Sequence, residues 1–407
     1  MKYGHIIDED KIIDEVIVSY FKEPKSYTTE NMCEINSHGG VLIVKKILEI
    51  CLKNGAKLAE PGEFTKKAFL NGRIDLIQAE SVIDIINAKS EKEVKTGINQ
   101  LEGFLSNKLK EIKEDILDVM VKIDVNIDYP EYDVEEIEKQ EIHSMLLNVK
   151  EKLKKLEKSF DSGKILKEGI KTAIIGTPNA GKSSLLNAIL REDRAIVTEY
   201  EGTTRDTIEE FVSINGIPLK LIDTAGIRNA KDEVEKIGIE KAKKIAQEAD
   251  LIIAIFDGAK DWKKDDYLIL NMVKGKKSLV LLNKIDIAKD IENKERVLRK
   301  YSNNVIKISA LHKIGIEEIS DYIKKLFEEE EINLDNEIIV TNIRQKNLIQ
   351  QAIQNLSEAE NTLLNNMPID IIAIFINKML ENLGEITGDS PSEEIINEIF
   401  SKFCLGK

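Results

Sequence analysis

Residues 176–183 carry a phosphate-binding pattern: they read G-T-P-N-A-G-K-S and match G-x-x-x-x-G-K-[ST]. In this pattern backbone N–H groups wrap phosphate oxygens, the Lys182 ammonium reaches the β and γ oxygens, and the Ser183 hydroxyl ligates Mg²⁺. A predicted strand, residues 171–175, precedes the pattern, and apolar residues at helical spacing follow it over residues 185–190. The pattern requires this strand–loop–helix context, so the sequence predicts a nucleoside triphosphate site.

Two further motifs are suited to the γ-phosphate. Residues 223–226 read D-T-A-G, in which Asp223 can hold the magnesium shell and the glycine amide can sense the γ-phosphate. Residues 202–206 read G-T-T-R-D and offer a threonine for Mg²⁺ in a loop that can order around GTP. Ile227 follows D-T-A-G and cannot orient an attacking water as a glutamine does. We therefore expect help from elsewhere, and the amide oxygen of Asn179 is suited to hold a monovalent cation in the role of an arginine finger.

The base is addressed by two short motifs. Residues 283–286 read N-K-I-D after the apolar run 278–282. The Asp286 carboxylate can accept both N1–H and N2–H of guanine, whereas adenine offers neither donor in that geometry. Residues 309–310 read S-A and supply a second contact to the guanine edge. Together with the phosphate motifs, they predict a guanine-nucleotide domain.

The elements that position these motifs are β-branched runs alternating with helical patterns between residues 168 and 328. Such alternation predicts a mostly parallel sheet with helices on both faces, as in a Ras-like P-loop G domain. Helical patterns flank it, so the expected fold is multidomain α + α/β with the G domain inserted into a helical bundle. The strand runs are residues 171–175, 211–214, 219–222, 251–256, 278–282 and 305–308. The domain boundaries are 1–72 for a small α/β N-terminal domain, 73–165 and 329–407 for the two parts of the helical domain, and 168–328 for the G domain.

The helical patterns predict two long helices with one buried face each. Apolar residues step by three or four from Val94 to Ile127, and again from Leu146 to Phe160. The sequence places the end of the first helix at Tyr129-Pro130 and a polar break after the second over residues 161–169.

The composition limits the class of protein. The 407 residues carry a net charge of −14, which argues against coating nucleic acid or an anionic membrane by charge alone. The apolar runs are too short to cross a bilayer, and the N-terminus lacks a signal-peptide pattern. Three cysteines show neither metal-binding nor disulfide spacing. We therefore expect a soluble, reduced protein of the cytoplasm.

Four stretches resemble the tRNA-modification GTPase family called MnmE or TrmE. Residues 176–187 read G-T-P-N-A-G-K-S-S-L-L-N, residues 201–206 read E-G-T-T-R-D, and residues 232–242 read D-E-V-E-K-I-G-I-E-K-A. The chain closes with F-C-L-G-K over residues 403–407. The inserted G domain matches too, so the likeness covers essentially the whole chain.

The resemblance implies a potassium-activated GTPase that forms a homodimer. It implies a flavoprotein partner of the MnmG/GidA type, with which it would place an aminomethyl or carboxymethylaminomethyl group on C5 of the wobble uridine of certain tRNAs. GTP hydrolysis would drive opening and closing of the G domains. Potassium would be ligated by Asn179, Thr198, Tyr200 and Thr203, and Mg²⁺ by Ser183 and Thr204, while Glu235 would orient the attacking water and act with Lys182 in catalysis. The GTP-binding set from motifs and resemblance is Asn179, Ala180, Gly181, Lys182, Ser183, Ser184, Thr198, Thr203, Thr204, Asp223, Thr224, Ala225, Gly226, Asn283, Lys284, Asp286, Ser309 and Ala310.

The resemblance also implies one-carbon chemistry near the C-terminus. Family members bind 5-formyltetrahydrofolate or a related folate, and Glu34, Arg73 and Lys407 correspond to their folate contacts. Cys404 corresponds to a cysteine that the family needs for tRNA modification, either as a thiol that handles an activated carbon or as a structural residue. The family's opening P-P-G-x-G-G-I-G stretch and folate arginine precede the point where this sequence starts, so a shortened N-terminal domain is expected.

Two alternatives stay open at this stage. A ribosome-assembly GTPase of the Era or EngA type has similar G motifs, but residues 341–407 show neither a basic surface nor a G-x-x-G loop. A G-domain switch that has lost folate chemistry is the other alternative. A basic stretch, residues 149–172, holds eight lysines against four acidic residues and is either a solvated helix face or a tRNA contact.

Overall fold

The computed structural model describes residues 1–128, 136–190, 197–199, 210–222, 235–328, 338–389, 391–403 and 406. The chain divides into two units. The first consists of Met1–Ile86, Gly97–Lys154 and Asn347–Lys407, and the second of Asn87–Thr96 and Lys155–Lys346. Two stretches of the chain, each lying between stretches of the first unit, therefore build the second.

Strands and helices follow one another along both units. The described strands are β1 (Lys2–Asp8), β2 (Lys11–Phe21), β3 (Met32–Asn36), β4 (Ile170–Ile175), β5 (Val197–Glu199), β6 (Glu210–Ile214), β7 (Ile217–Leu221), β8 (Leu251–Asp257), β9 (Ser278–Asn283) and β10 (Val305–Lys307). The described helices are α1 (Val41–Lys53), α2 (Glu63–Leu70), α3 (Leu76–Ile86), α4 (Glu91–Leu101), α5 (Phe104–Asp128), α6 (Glu136–Glu168), α7 (Lys182–Leu190), α8 (Glu235–Glu248), α9 (Lys264–Val273), α10 (Ile291–Leu298), α11 (Ile316–Glu328), α12 (Ile343–Leu364), α13 (Ile369–Thr387) and α14 (Glu393–Ser401).

The first unit joins a small antiparallel sheet to a helical bundle. The sheet order is β1-β2-β3, with Lys2 opposite Val18 and Phe21 opposite Met32. In the bundle α13 packs against α5 and α3, and α14 packs against α2. The predicted α/β N-terminal segment and helical domain are confirmed.

The second unit contains a mixed sheet, which the described residues form from seven strands in the order β10-β9-β8-β4-β7-β6-β5. Neighbours from β10 to β7 run parallel, and β6 and β5 are antiparallel. Alternate residues of the central strands enter two cores: Ile174 packs with α7 and α11, and Ile175 with α9. Both faces are therefore covered by helices, which confirms the predicted G-domain architecture.

The prediction of a single long helix from Val94 to Ile127 is wrong. The apolar stripe from Val94 to Ile127 lies on two helices, α4 and α5, because Gly103 takes φ +88° between them. The amide of Gln78 donates a hydrogen bond to the Leu101 carbonyl (2.7 Å) and so caps the end of α4. The break turns the face of α4, and Ile98, predicted to be buried, is 42% exposed.

The second long helix continues further than predicted. The polar residues 161–168 remain in α6, which ends at Gly169 with φ +71°. The predicted break at Tyr129-Pro130 lies outside the described residues. Among the helices that the structure describes, none is both long enough and apolar enough to span a lipid bilayer.

Candidate nucleotide-binding site

The P-loop, residues 176–181, connects the central strand β4 to the first turn of α7. The Lys182 ammonium donates hydrogen bonds to the carbonyl oxygens of Gly176 (2.7 Å) and Thr177 (3.1 Å). Burial lowers the pKa of the Lys182 side chain, because the charged form loses solvation. Phosphate oxygens arriving at this ammonium would supply a negative charge that stabilises its charged form.

Asn283 links the P-loop to the loop of residues 309–310, which is predicted to contact the base. Its buried side-chain amide donates to the Ala180 carbonyl at 2.8 Å and accepts from the Ala310 backbone N–H at 3.0 Å. Gly181 makes this approach possible: it takes φ +108°, and a Cβ there would lie 2.1 Å from Nδ2 of Asn283. One side chain therefore fixes three segments that are far apart in sequence.

Lys284 braces the P-loop from the other side. It has φ +63°, and its ammonium lies 2.7 Å from Oδ2 of Asp257 and 2.8 Å from the Asn179 carbonyl. The Asp257 carboxylate is 7% exposed and also accepts the backbone N–H of Ala259 at 2.9 Å. The lysine therefore serves as a strut between the end of β8 and the loop.

Asp286 presents the carboxylate predicted to recognise guanine. A hydrogen bond from the Ser309 hydroxyl, aided by the charges of His312 and Lys284, holds its pKa below the ordinary value. His312 lies 3.8 Å from its Oδ2. The group therefore stays ionised to lower pH than an ordinary aspartate, which suits an acceptor for two N–H donors.

A second buried carboxylate, Asp266, fixes the far side of the P-loop. Its Oδ1 accepts the Thr177 hydroxyl at 3.0 Å, and its Oδ2 accepts the Lys263 backbone N–H at 2.9 Å. Sequence reasoning missed Asp257 and Asp266. For Asp257 there was a signal, since it ends an apolar strand beside β9, whereas nothing in the spacing connects Asp266 to Thr177.

The other predicted site residues are distributed as follows. Ser183 and Ser184 lie in the first turn of α7, Ala180 and Ser309 are buried, and Asn179 is exposed with φ +63°. Thr198 lies in β5 opposite Phe211, and Glu235 is the first residue of α8. Outside the described residues lie Tyr200, Thr203, Thr204, Asp223, Thr224, Ala225, Gly226, Cys404 and Lys407.

The donors that are described fit a nucleoside triphosphate with its cations. The cradle between Gly176 and Gly181 leads to the positive end of the α7 dipole, and the Lys182 ammonium lies within it. Ser183 brings a hydroxyl, a ligand suited to Mg²⁺, to the same turn. Asn179 brings a side-chain amide to the exposed tip of the loop.

The two described folate candidates lie in the first unit. Glu34 is an exposed residue of β3, opposite Ser19 of β2. The guanidinium of Arg73 lies 4.6 Å from the centroid of the Tyr27 ring, whose hydroxyl is 2.9 Å from that of Thr65. The Tyr27 ring therefore holds the Arg73 guanidinium by a cation–π contact.

Comparison with known proteins finds relatives along the whole chain. A family model described as "GTP-binding protein TrmE N-terminus" matches residues 1–73, and one described as "MnmE helical domain" matches residues 76–404. The "tRNA modification GTPase MnmE" of Acetivibrio thermocellus is 48% identical over 411 residues, covering 100% of this chain and 89% of that protein. The protein with that name from Clostridioides difficile is also 48% identical, covering 100% of this chain and 88% of that protein. Among solved structures, the G domain of the T. maritima FeoB iron transporter covers 38% of this chain and 97% of that chain at 26% identity, with a TM-score of 0.28.

Proposed function

The chain belongs to the tRNA modification GTPase MnmE family, and from this membership we propose that it is a potassium-activated GTPase acting on the wobble uridine of tRNA. Binding and hydrolysis of GTP with Mg²⁺ follow from the family itself. The proposal adds the activating cation, the partner and the reaction product. Its product is the 5-(carboxymethyl)aminomethyl group on certain tRNAs, formed with a flavoprotein of the MnmG/GidA type.

The exposed Asn179 at the tip of the P-loop is the observation that carries the potassium part. Its left-handed backbone is held by the Lys284 ammonium on its carbonyl, and the residue is exposed. With Ile227 after D-T-A-G, no glutamine stands where Ras-type switches orient water. Thr198, Tyr200 and Thr203 are proposed as the other potassium ligands.

Within the proposal each remaining residue has a distinct task. Lys182 binds the β and γ oxygens, Ser183 and Thr204 hold Mg²⁺, and Asp286 selects guanine. Glu235 orients the attacking water. When bound, the two cations neutralise charge that develops on the phosphates. GTP hydrolysis drives opening and closing of paired G domains in a homodimer, and Asp223, Thr224, Ala225 and Gly226 respond to the γ-phosphate.

The one-carbon part of the proposal concerns the first unit and the C-terminus. Glu34, Arg73 and Lys407 are proposed to bind a 5-formyltetrahydrofolate-type cofactor, and Cys404 to act beside it. The domains proposed for these tasks are 1–72 for folate, 73–165 with 329–407 for the helical domain, and 168–328 for GTP. The proposed place of action is the cytoplasm, because tRNA is the substrate.

GTP hydrolysis in KCl and in NaCl at equal ionic strength tests the potassium part. We expect at least tenfold faster hydrolysis in KCl, against the roughly 10³–10⁵-fold effect of an arginine finger. Asn179→Ala should lose the stimulation, and Asn303→Ala, an exposed asparagine away from the P-loop, should keep it. Equal rates in both salts would remove the cation from the mechanism. The tRNA part is tested by mass spectrometry of wobble uridine after incubation with the flavoprotein partner.

A further inference from the structure

A cavity of about 560 Å³ opens within the second unit, at the opposite edge of the sheet from the nucleotide. It lies at the amino ends of the parallel strands, where residue 170 begins β4, residue 250 precedes β8 and residue 277 precedes β9. The P-loop follows the carboxyl end of β4, about 20 Å away for a strand of this length. The cavity therefore belongs to no part of the site described above.

The lining of this cavity is strongly basic although the whole chain has a net charge of −14. Six of the lining residues are lysines and three are acidic, namely Asp161, Glu168 and Asp250, so the lining has a net formal charge of +3. The lysines come from four separate parts of the sequence. They are Lys89, Lys164, Lys167, Lys171, Lys220 and Lys277.

Local contacts hold several of these charges in place. The Lys89 ammonium lies 3.8 Å from the centroid of the Phe211 ring and donates to the Lys167 carbonyl at 3.4 Å. Lys220 lies 5.9 Å from the same ring. The carboxylate of Asp250 accepts the backbone N–H of Lys171 at 3.2 Å, so one of the acids is engaged with the main chain. The Phe211 ring and backbone groups therefore help to hold these charged side chains in position.

We propose that this cavity binds the sugar–phosphate backbone of tRNA. The inference rests on the proposed tRNA-modifying function and assigns it a surface. Lysine ammonium groups contact phosphates as point charges without reading sequence. Phe211, the aromatic residue of the lining, is 3% exposed and cannot stack a base. A cavity of this volume accommodates a phosphodiester with its flanking sugars.

The placement also accounts for the basic stretch in the sequence. Lys164, Lys167 and Lys171 belong to residues 149–172, and the fold adds to them three lysines from other segments. A solvated helix face would explain the first two, but Lys171 belongs to β4 and Lys220 to β7, where they stand opposite each other. The pairing of β4 with β7 therefore brings two lysines from distant segments to the same part of the cavity lining.

Fluorescence anisotropy with labelled tRNA at several salt concentrations tests the proposal. The test variant is the triple substitution Lys164→Gln, Lys171→Gln and Lys277→Gln, all exposed positions outside the nucleotide site. The matched control removes three exposed lysines elsewhere, by Lys110→Gln, Lys243→Gln and Lys300→Gln. We expect the cavity variant to bind tRNA at least tenfold more weakly, with the slope of log K against log salt reduced by about 2. The control should bind like the wild type.

Basal GTP hydrolysis without tRNA separates the possible failures. Both variants should retain it, which also shows that they are folded. Equal tRNA affinity of cavity variant and control would overturn the cavity assignment alone. Unchanged tRNA affinity with reduced modification in the presence of the flavoprotein would assign the cavity to an acidic protein surface, which also overturns it. Failure of the active wild-type GTPase to bind tRNA would overturn both the assignment and the tRNA contact in the proposed function.

Discussion

The ammonium of Lys284 lies 2.7 Å from Oδ2 of Asp257, where the carboxyl ends of β8 and β9 adjoin. Asp257 is the last residue of β8 and pairs with Asn283, the residue before the lysine. Because the Lys284 ammonium also donates to the Asn179 carbonyl, the pair holds the P-loop in a fixed position relative to β8 and β9. Loop geometry at the phosphates thus depends on a carboxylate that no nucleotide-binding motif includes.

Asp257→Asn should weaken GTP binding and leave the fold intact. The amide cannot balance the Lys284 charge, and loss of one partner from a largely buried pair costs about 1–3 kcal/mol. Through the Asn179 carbonyl this loosens the P-loop, so we expect the Kd for a labelled GTP analogue to rise about tenfold. Asp261→Asn, a nearby substitution of the same type, serves as the control. An unchanged Kd with Asp257→Asn would show that the strut has no part in nucleotide binding.

Asp286→Asn should change the base preference. The carboxylate accepts two N–H donors of guanine, whereas an amide accepts one and donates one, which matches the N1–H and C2 carbonyl of xanthine. We expect GTP affinity to fall by about 10²-fold or more and XTP affinity to rise. Competition between GTP and XTP for the purified variant measures both. Parallel loss of the two nucleotides would mean that Asp286 supports the loop rather than the base.

Much of this site is predictable from the sequence because each motif is local to one strand–loop junction. The runs 171–175, 251–256 and 278–282 differ by at most one residue at either end from β4, β8 and β9. Strand β5 was missed because three residues carry too little pattern.

What the sequence does not reveal is which side chains meet across junctions. Asn283 contacts Ala180 over 103 residues, and Thr177 contacts Asp266 over 89. The predicted helix boundaries were wrong for another reason, because α4 and α6 end at Gly103 and Gly169 and not where the sequence becomes polar. Residues 161–168 stay helical although most of them are polar, because the segment still buries Ser162 and Leu166 and packs Ile165 against the core of the second unit.

Gly181→Ala should disable nucleotide binding much more than it lowers stability. The left-handed backbone costs a non-glycine residue about 1–2 kcal/mol, and the new Cβ would meet Nδ2 of Asn283 at 2.1 Å. The Asn283 amide or the loop must therefore shift. Gly275→Ala, with φ +75° and open space around its Cβ, bears the backbone cost alone. We expect Gly181→Ala to bind the GTP analogue at least tenfold more weakly than the wild type, and Gly275→Ala to bind it as the wild type does. Similar affinities of the two variants would show that the close approach of Asn283 to Gly181 is dispensable.

Lys152→Met should make the stability of the protein fall less steeply as the pH is lowered from about 4.5 to about 2. Hydrogen bonds from Lys108 and Lys152 lower the Glu111 pKa from 4.5 to about 2, and Lys152 also lies 2.6 Å from Asp115. A carboxyl with a depressed folded-state pKa stabilises the protein above its unfolded pKa, and this contribution disappears as the pH falls from about 4.5 to about 2. Without Lys152 the ionised Glu111 contributes less stability at neutral pH, so protonating it costs less.

Melting curves at pH 7, 4.5, 3 and 2 measure this difference. The wild type should melt higher than Lys152→Met at pH 7 and 4.5, and the two melting temperatures should converge as the pH approaches 2. Lys110→Met, which removes an exposed lysine from the same helix as Glu111, should follow the wild type throughout. A constant gap at every pH would mean that the methionine acts through packing and that Glu111 does not couple protonation to stability in this way.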